Sequence, residues 1–166
     1  MKKLSIFILS ATVVLAYLSC AKSTPATTVP PCTNKDVTAD SATLISYAGD
    51  TIPLTHDTTG LYYHIIDSGN TTHPGSNSHL QVTYVAKLMN QHVFDSATNS
   101  NLGGAQLFNL IPGWQIGLPK IGVGGHIQLF IPSALAWGCT GIVNGSYTLV
   151  PPDNPVYFDV KLLGVN

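Results

Sequence analysis

An α+β domain, built of antiparallel strands with one short helix lying across the sheet, is the fold class this sequence predicts. Three observations carry it. Apolar and polar residues alternate in several separated stretches, the signature of strands with one buried face. A single segment, Pro112 to Leu118, is bracketed by Pro112 and Pro119, which marks a helix of barely two turns. Turn formers such as Asp67-Ser68-Gly69-Asn70 punctuate the chain between these stretches.

In chain order, residues 21–35 come first; they are rich in Ser, Thr, Pro and Ala and read as an extended spacer. Asp36 to Ala48 fits a short helix, with Leu44 and Ile45 available for packing. The run Leu61 to Ile66 is rich in aromatic and β-branched residues and stops at the Asp67–Asn70 turn, as a strand does. Val82, Tyr84, Ala86 and Leu88 then form one face against Gln81, Thr83, Val85 and Lys87. Ile127, Leu129 and Ile131 repeat that alternation, and Val156, Phe158, Val160 and Leu162 repeat it again. No internal repeat is visible.

The first residues read as a processing signal. Lys2 and Lys3 precede an apolar run from Leu4 to Leu18 that ends at Ser19-Cys20, the order of a bacterial export peptide. The run is too short for a comfortable membrane span. A cysteine directly after such a peptide resembles a lipoprotein box, although Tyr17 and Ser19 depart from its usual residues. The reading favoured is acylation of Cys20, which holds the chain at a membrane; the alternative is plain cleavage. Cys32 and Cys139 then remain. In an exported chain this even remainder either pairs or leaves two thiols.

Composition bounds the function. Apolar residues make up 45% of the chain and charged ones 9%, enough to build a core. All seven basic residues are lysines and all eight acidic ones aspartates. Without arginine or a lysine cluster, nucleic-acid binding lacks its electrostatic basis. The six histidines carry no paired helical spacing, so no metal site is expected. Gly122-Val123-Gly124-Gly125 follows a helix and enters a strand, the reverse of a phosphate loop's order.

Four blocks, in order and with near-family spacing, give the segment from Tyr62 to Val165 its resemblance to a known family. They are Val82-Thr83-Tyr84-Val85-Ala86-Lys87-Leu88, then Val93-Phe94-Asp95-Ser96, then Leu110-Ile111-Pro112-Gly113-Trp114-Gln115-Ile116-Gly117-Leu118. The last is Ile131 to Gly138 with Val150-Pro151-Pro152 and Tyr157 to Leu163. Together they resemble the FKBP family of peptidyl-prolyl isomerases.

The resemblance implies an antiparallel half-barrel sheet wrapping the short helix. It also implies an apolar cleft with Trp114 as floor and Tyr84, Phe94, Leu110, Ile111 and Phe158 as walls. Asp95 is expected to accept hydrogen bonds at the cleft, and Trp137, where the family has tyrosine, to donate to the bound peptide. Ala136, Leu149 and Val150 are expected at the substrate's edge. Asn99 to Phe108 departs most from the family pattern, being shorter and lacking its aromatic wall. A more open cleft is expected on that side.

The chain is thus expected to have three parts: a signal peptide over residues 1–19, a tether over 20–59 and an isomerase domain over 60–166. The expected activity is cis/trans isomerisation of X-Pro bonds in envelope or exported proteins, without cofactor. The partners are proline-containing segments of client proteins and the membrane reached through the lipid, with weak binding of FKBP-directed macrolides. The location is the bacterial cell envelope, facing the periplasm or the cell surface. Two rival readings stand beside it: a catalytically weak peptide-binding chaperone, and a structural surface lipoprotein.

Overall fold

The computed structural model describes residues 31–166; the expected export peptide, Cys20 and the first part of the expected spacer lie outside the described residues. The period-two stretches form the centre of the sheet, and three further strands extend it. Its strands are β1 (Thr55–His56), β2 (Tyr62–Asp67), β3 (Leu80–Leu88), β4 (Val93–Ser100), β5 (His126–Ile131) and β8 (Val156–Val165). They lie in the order β1-β2-β5-β8-β3-β4, every neighbouring pair antiparallel. A separate hairpin, β6 (Ile142–Asn144) and β7 (Tyr147–Val150), precedes β8.

The inner face holds the expected alternating side chains. Val82, Ala86, Ile127, Leu129, Ile131, Val156, Phe158, Val160 and Leu162 are all buried in one cluster. Against it lies the short helix α2 (Pro112–Gly117), continued by a 3-10 turn over Leu118–Lys120. Its two glycines explain the close fit. A Cβ on Gly113 would stand 2.5 Å from Ile131 Cγ2, and one on Gly117 would stand 2.5 Å from Leu129 Cδ2. The helix backbone therefore rests directly on β5, and both glycines, one helical turn apart, face the strand.

The outer face is covered too, which the expected tether does not anticipate. A 3-10 turn over Val37–Asp40 leads into helix α1 (Ser41–Ala48), whose Leu44 and Ala48 are buried against Phe130 and Tyr157. Tyr47, Ile52, Leu54, Tyr62 and Met89 pack around that cluster. Ile45, expected to pack, is instead 52% exposed. Residues 31–166 are one packed unit, so packing does not stop at the expected boundary of residue 60. Burial of the α1 face accounts for this, since an eight-residue helix has little stability without it.

A disulfide joins Cys32 to Cys139, with Cα atoms 5.8 Å apart and 107 positions of sequence between them. Lys120 Nζ donates to Asp57 Oδ2 at 2.6 Å and lies 4.8 Å from the Tyr63 ring centroid. This pins the end of α2 to the turn before β2. Among the described residues no helix is long and apolar enough to cross a membrane.

Candidate functional site

At the mouth of the inner face lies a cavity of about 140 Å³ lined by Tyr84, Asp95, Leu102, Leu110, Ile111, Trp114, Trp137 and Phe158. Strand register brings two of these together, and α2 supplies a third. Tyr84 of β3 stands opposite Val160 of β8, and Phe158 stands opposite Ala86, so Tyr84 and Phe158 are diagonal neighbours on one face. Trp114 reaches the same place from α2, where it is 4% exposed.

The rings meet edge to face. Trp114 lies 5.4 Å from Tyr84 at 87° and 5.3 Å from Phe158 at 86°. T-shaped pairs set the positive edge of one ring against the negative face of the next, which holds each ring in one orientation. The indole Nε1 of Trp114 is buried without a hydrogen-bond partner, as suits a floor made only of aromatic and aliphatic groups.

A β-bulge brings two sequence neighbours to this site. Ala86 of β3 opposes Asp95 of β4, but the next residue, Lys87, opposes Val93, leaving Phe94 as the extra residue. On a regular strand, Phe94 and Asp95 would face opposite sides. With the bulge, Phe94 packs against Trp137 at 5.8 Å and Phe158 at 6.0 Å. Asp95 meanwhile accepts a hydrogen bond from the Tyr84 hydroxyl at 2.7 Å. Phe94 does not itself line the cavity; it stands behind Trp137 and Phe158. Burial, then the hydrogen bond to Asp95 and its negative charge, push the Tyr84 phenol well above its ordinary range.

Leu102 is the lining residue that sequence reasoning missed. It comes from the segment 99–108 in which no wall was expected. Ser100 Oγ accepts from the Leu102 N–H at 3.0 Å, and Asn101 Oδ1 accepts from the Gly103 N–H at 3.2 Å. These bonds hold Leu102 at a φ of +53°, a conformation that costs a non-glycine residue roughly 1–2 kcal/mol. The available signal was a single apolar residue among turn formers, Asn99-Ser100-Asn101-Leu102-Gly103-Gly104. An aliphatic side chain thus closes a side that was expected to be open.

Of the expected site residues, Tyr84, Asp95, Leu110, Ile111, Trp114, Trp137 and Phe158 meet in this one recess. Ala136, Leu149 and Val150 are not among its lining residues. Val150 is buried in the core beside the strands instead, because β7 turns it inward. The described residues hold no group of three or more His, Cys, Asp or Glu side chains placed to bind a metal ion.

Comparison with known proteins puts this geometry in context. Residues 70–163 match the model of the FKBP-type peptidyl-prolyl cis-trans isomerases. Over 108 residues the chain is 35% identical to the FKBP-type peptidyl-prolyl cis-trans isomerase FkpA of Escherichia coli, a match covering 64% of this chain and 38% of that protein. It is 35% identical over 101 residues to FK506-binding protein 1 of Saccharomyces cerevisiae, covering 57% of this chain and 82% of the yeast protein. The crystal structure of Escherichia coli FkpA superposes with a TM-score of 0.62 at 30% identity, over 76% of this chain and 57% of that one. A peptidyl-prolyl cis-trans isomerase from Pseudomonas syringae shares the fold, with a TM-score of 0.66 at 24% identity over 81% of this chain and 98% of that one. The chain therefore spans little more than a third of the bacterial FkpA sequence.

Proposed function

Because the chain belongs to the FKBP-type peptidyl-prolyl cis-trans isomerase family, we propose that its cleft binds X-Pro segments and accelerates their cis/trans isomerisation. The observation that carries the proposal is the convergence of Tyr84, Trp114, Trp137 and Phe158 on one apolar recess. The barrier to be lowered is about 18–20 kcal/mol, set by the partial double bond of the peptide C–N. The twisted amide at mid-rotation separates less charge than the planar one, so a water-poor recess disfavours the planar form more. Better binding of the twisted geometry is the catalysis. No nucleophile, general base or cofactor enters the step.

In this reading the proline ring enters the cavity above Trp114, between Tyr84 and Phe158. A cavity of about 140 Å³ receives that ring, while the rest of a bound molecule extends over the open rim. Leu110, Ile111 and Leu102 exclude water around it. Asp95, fixed by Tyr84, and the Trp137 N–H offer an acceptor and a donor to the peptide at the rim. The same recess takes macrolides of the FK506 type weakly. The clients are exported or envelope proteins, met at a membrane where acylated Cys20 holds the chain; the order Lys2-Lys3, apolar run, Cys20 supports this.

Phe94→Ala and Trp114→Leu test the site. Measured on a proline tetrapeptide in a protease-coupled assay, each is expected to lower kcat/KM at least tenfold while the far-ultraviolet spectrum persists. Wild-type turnover in both variants removes the proposal. A binding-only reading draws on the indole at 137, which donates but does not accept. Refolding of a proline-limited substrate separates the two, because only an enzyme accelerates it at catalytic concentrations.

A further inference from the structure

The segment ahead of the family-matched region holds the loop that carries Trp137. The match begins at residue 70, yet Asp40 is buried and reaches Ser133 across 93 positions of sequence. Ser133, itself fully buried, donates to Asp40 Oδ2 from its backbone N–H at 2.8 Å and from its hydroxyl at 2.6 Å. Asp40 sits at the N-cap position of α1 without capping that helix, so its carboxylate serves the loop instead.

From Ser133 the hold passes to the residues flanking Trp137. The Ser133 carbonyl accepts from the N–H of Ala136 at 3.0 Å and of Gly138 at 2.8 Å, one on each side of the indole-bearing residue. A second grip lies just beyond. Asn34 Oδ1 accepts from the Cys139 N–H at 3.0 Å, and Cys139 is bonded to Cys32. Gly138 has a φ of +53°, and a Cβ there would collide with the Asn34 side chain. The strap from Cys32 to Asp40 thus touches the loop before and after Trp137. Its own footing is α1, seated by Leu44 and Ala48 on the outer face of the sheet.

We propose that Asp40 is a positioning residue for the cleft, holding Ser133 so that the Trp137 indole stands in the wall beside Phe94 and Phe158. This deepens the isomerase reading and rests on it for its catalytic consequence. Trp137 is attached to a short loop, not to a strand, so its backbone relies on such ties, which add to its ring packing and to the bonds its carbonyl accepts from Thr140 Oγ1 and the Gly141 N–H. A displacement of about 1 Å at a reacting site costs as much as a hundredfold in rate.

The test uses the full chain labelled with fluorotryptophan. Its two tryptophans give two fluorine resonances, assigned with Trp137→Phe. Asp40→Ala is expected to shift or broaden the Trp137 resonance, leave that of Trp114 in place and lower kcat/KM on an X-Pro tetrapeptide roughly tenfold or more. Asp40→Asn, whose amide oxygen still accepts from Ser133, is expected to restore both. An unmoved Trp137 signal in folded Asp40→Ala overturns the proposal, as does equal movement of both signals. Should Asp40→Ala fail to fold, Ser133→Ala removes the hydroxyl arm alone, and a Trp137 resonance unchanged there overturns it equally. A wild-type chain without isomerase turnover defeats the isomerase reading, and the positioning of Trp137 is then judged on the resonances alone.

Discussion

The Tyr84 hydroxyl donates to the Asp95 carboxylate at 2.7 Å, linking adjacent strands at the rim of the cavity. The bond orients both groups, and it needs the tyrosine protonated. Tyr84→Phe keeps the ring that packs on Trp114 and Phe158 but frees Asp95. We expect kcat/KM on an X-Pro tetrapeptide to fall about three- to tenfold, the loss of one charge-assisted hydrogen bond of roughly 1 kcal/mol. An unchanged rate would show the pair to be structural only.

Alkaline pH provides a second handle on the same group. Tyr84 is raised by burial and by Asp95, and Tyr157 is raised by burial and by Asp159. A phenol with a raised folded pKa stabilises the fold fully below its unfolded value, about 10, and loses that contribution as pH rises toward the folded value. Stability measured by urea unfolding should therefore be level between about pH 7 and 9 and decline above about pH 10. Tyrosinate absorbance for these two residues should appear only with that decline.

Gly117→Ala should destabilise the fold without touching the cavity lining. The new methyl would stand 2.5 Å from Leu129 Cδ2 at the seat of α2 on β5. Overpacking of this kind costs about 1–3 kcal/mol. Urea unfolding is expected to show the midpoint falling with the m-value unchanged, whereas an unshifted midpoint would mean the helix does not sit so close.

Acid should weaken the Lys120–Asp57 tie. The hydrogen bond from Lys120, then those from Thr59, hold the Asp57 carboxyl at about 2, below its usual 3.8. A lowered carboxylate contributes stability above its unfolded pKa and loses it as pH falls through the folded value. The loss thus lies between about pH 4 and 2, and for a pair this near the surface it amounts to about 1 kcal/mol. Asp57→Asn should remove that part of the acid dependence.

Reduction of the Cys32–Cys139 disulfide should lower stability by about 2–4 kcal/mol, because it releases a long loop in the unfolded chain. The contrast between oxidised and reduced protein in denaturant melts measures it. A coincident pair of curves would mean that the hydrogen bonds accepted by Asn34 and Asp40 hold the strap without the covalent link.

Most of the cleft could be read in advance through the resemblance of the four sequence blocks to a known family, and local patterning agrees with it. Tyr84 and Phe158 belong to stretches whose period of two assigns them to the buried face, and Trp114 lies in a helix bracketed by prolines. Leu102 escaped because its direction depends on a left-handed turn rather than on any period. Val150 was expected at the rim and is core, since neither its neighbours nor its spacing indicate how the hairpin β6–β7 folds back. The edge strand β4 was likewise seen only as a block of residues; most of it is exposed, so its side chains carry no apolar stripe to count.

Chain chemistry alone settled what repeats at short range: which residues form the buried face of each strand, where the short helix starts and stops, and that the chain lacks the charge pattern for nucleic acid. Folding settled what spans long separations. The reach of Asp40 to Ser133 across 93 positions, the Cys32–Cys139 bond across 107 and the covering of the outer face by α1 have no local signature. The reason is physical. Periodicity records which side of a segment leaves water, whereas a hydrogen bond or disulfide between distant residues records which segments the topology brings within a few ångströms.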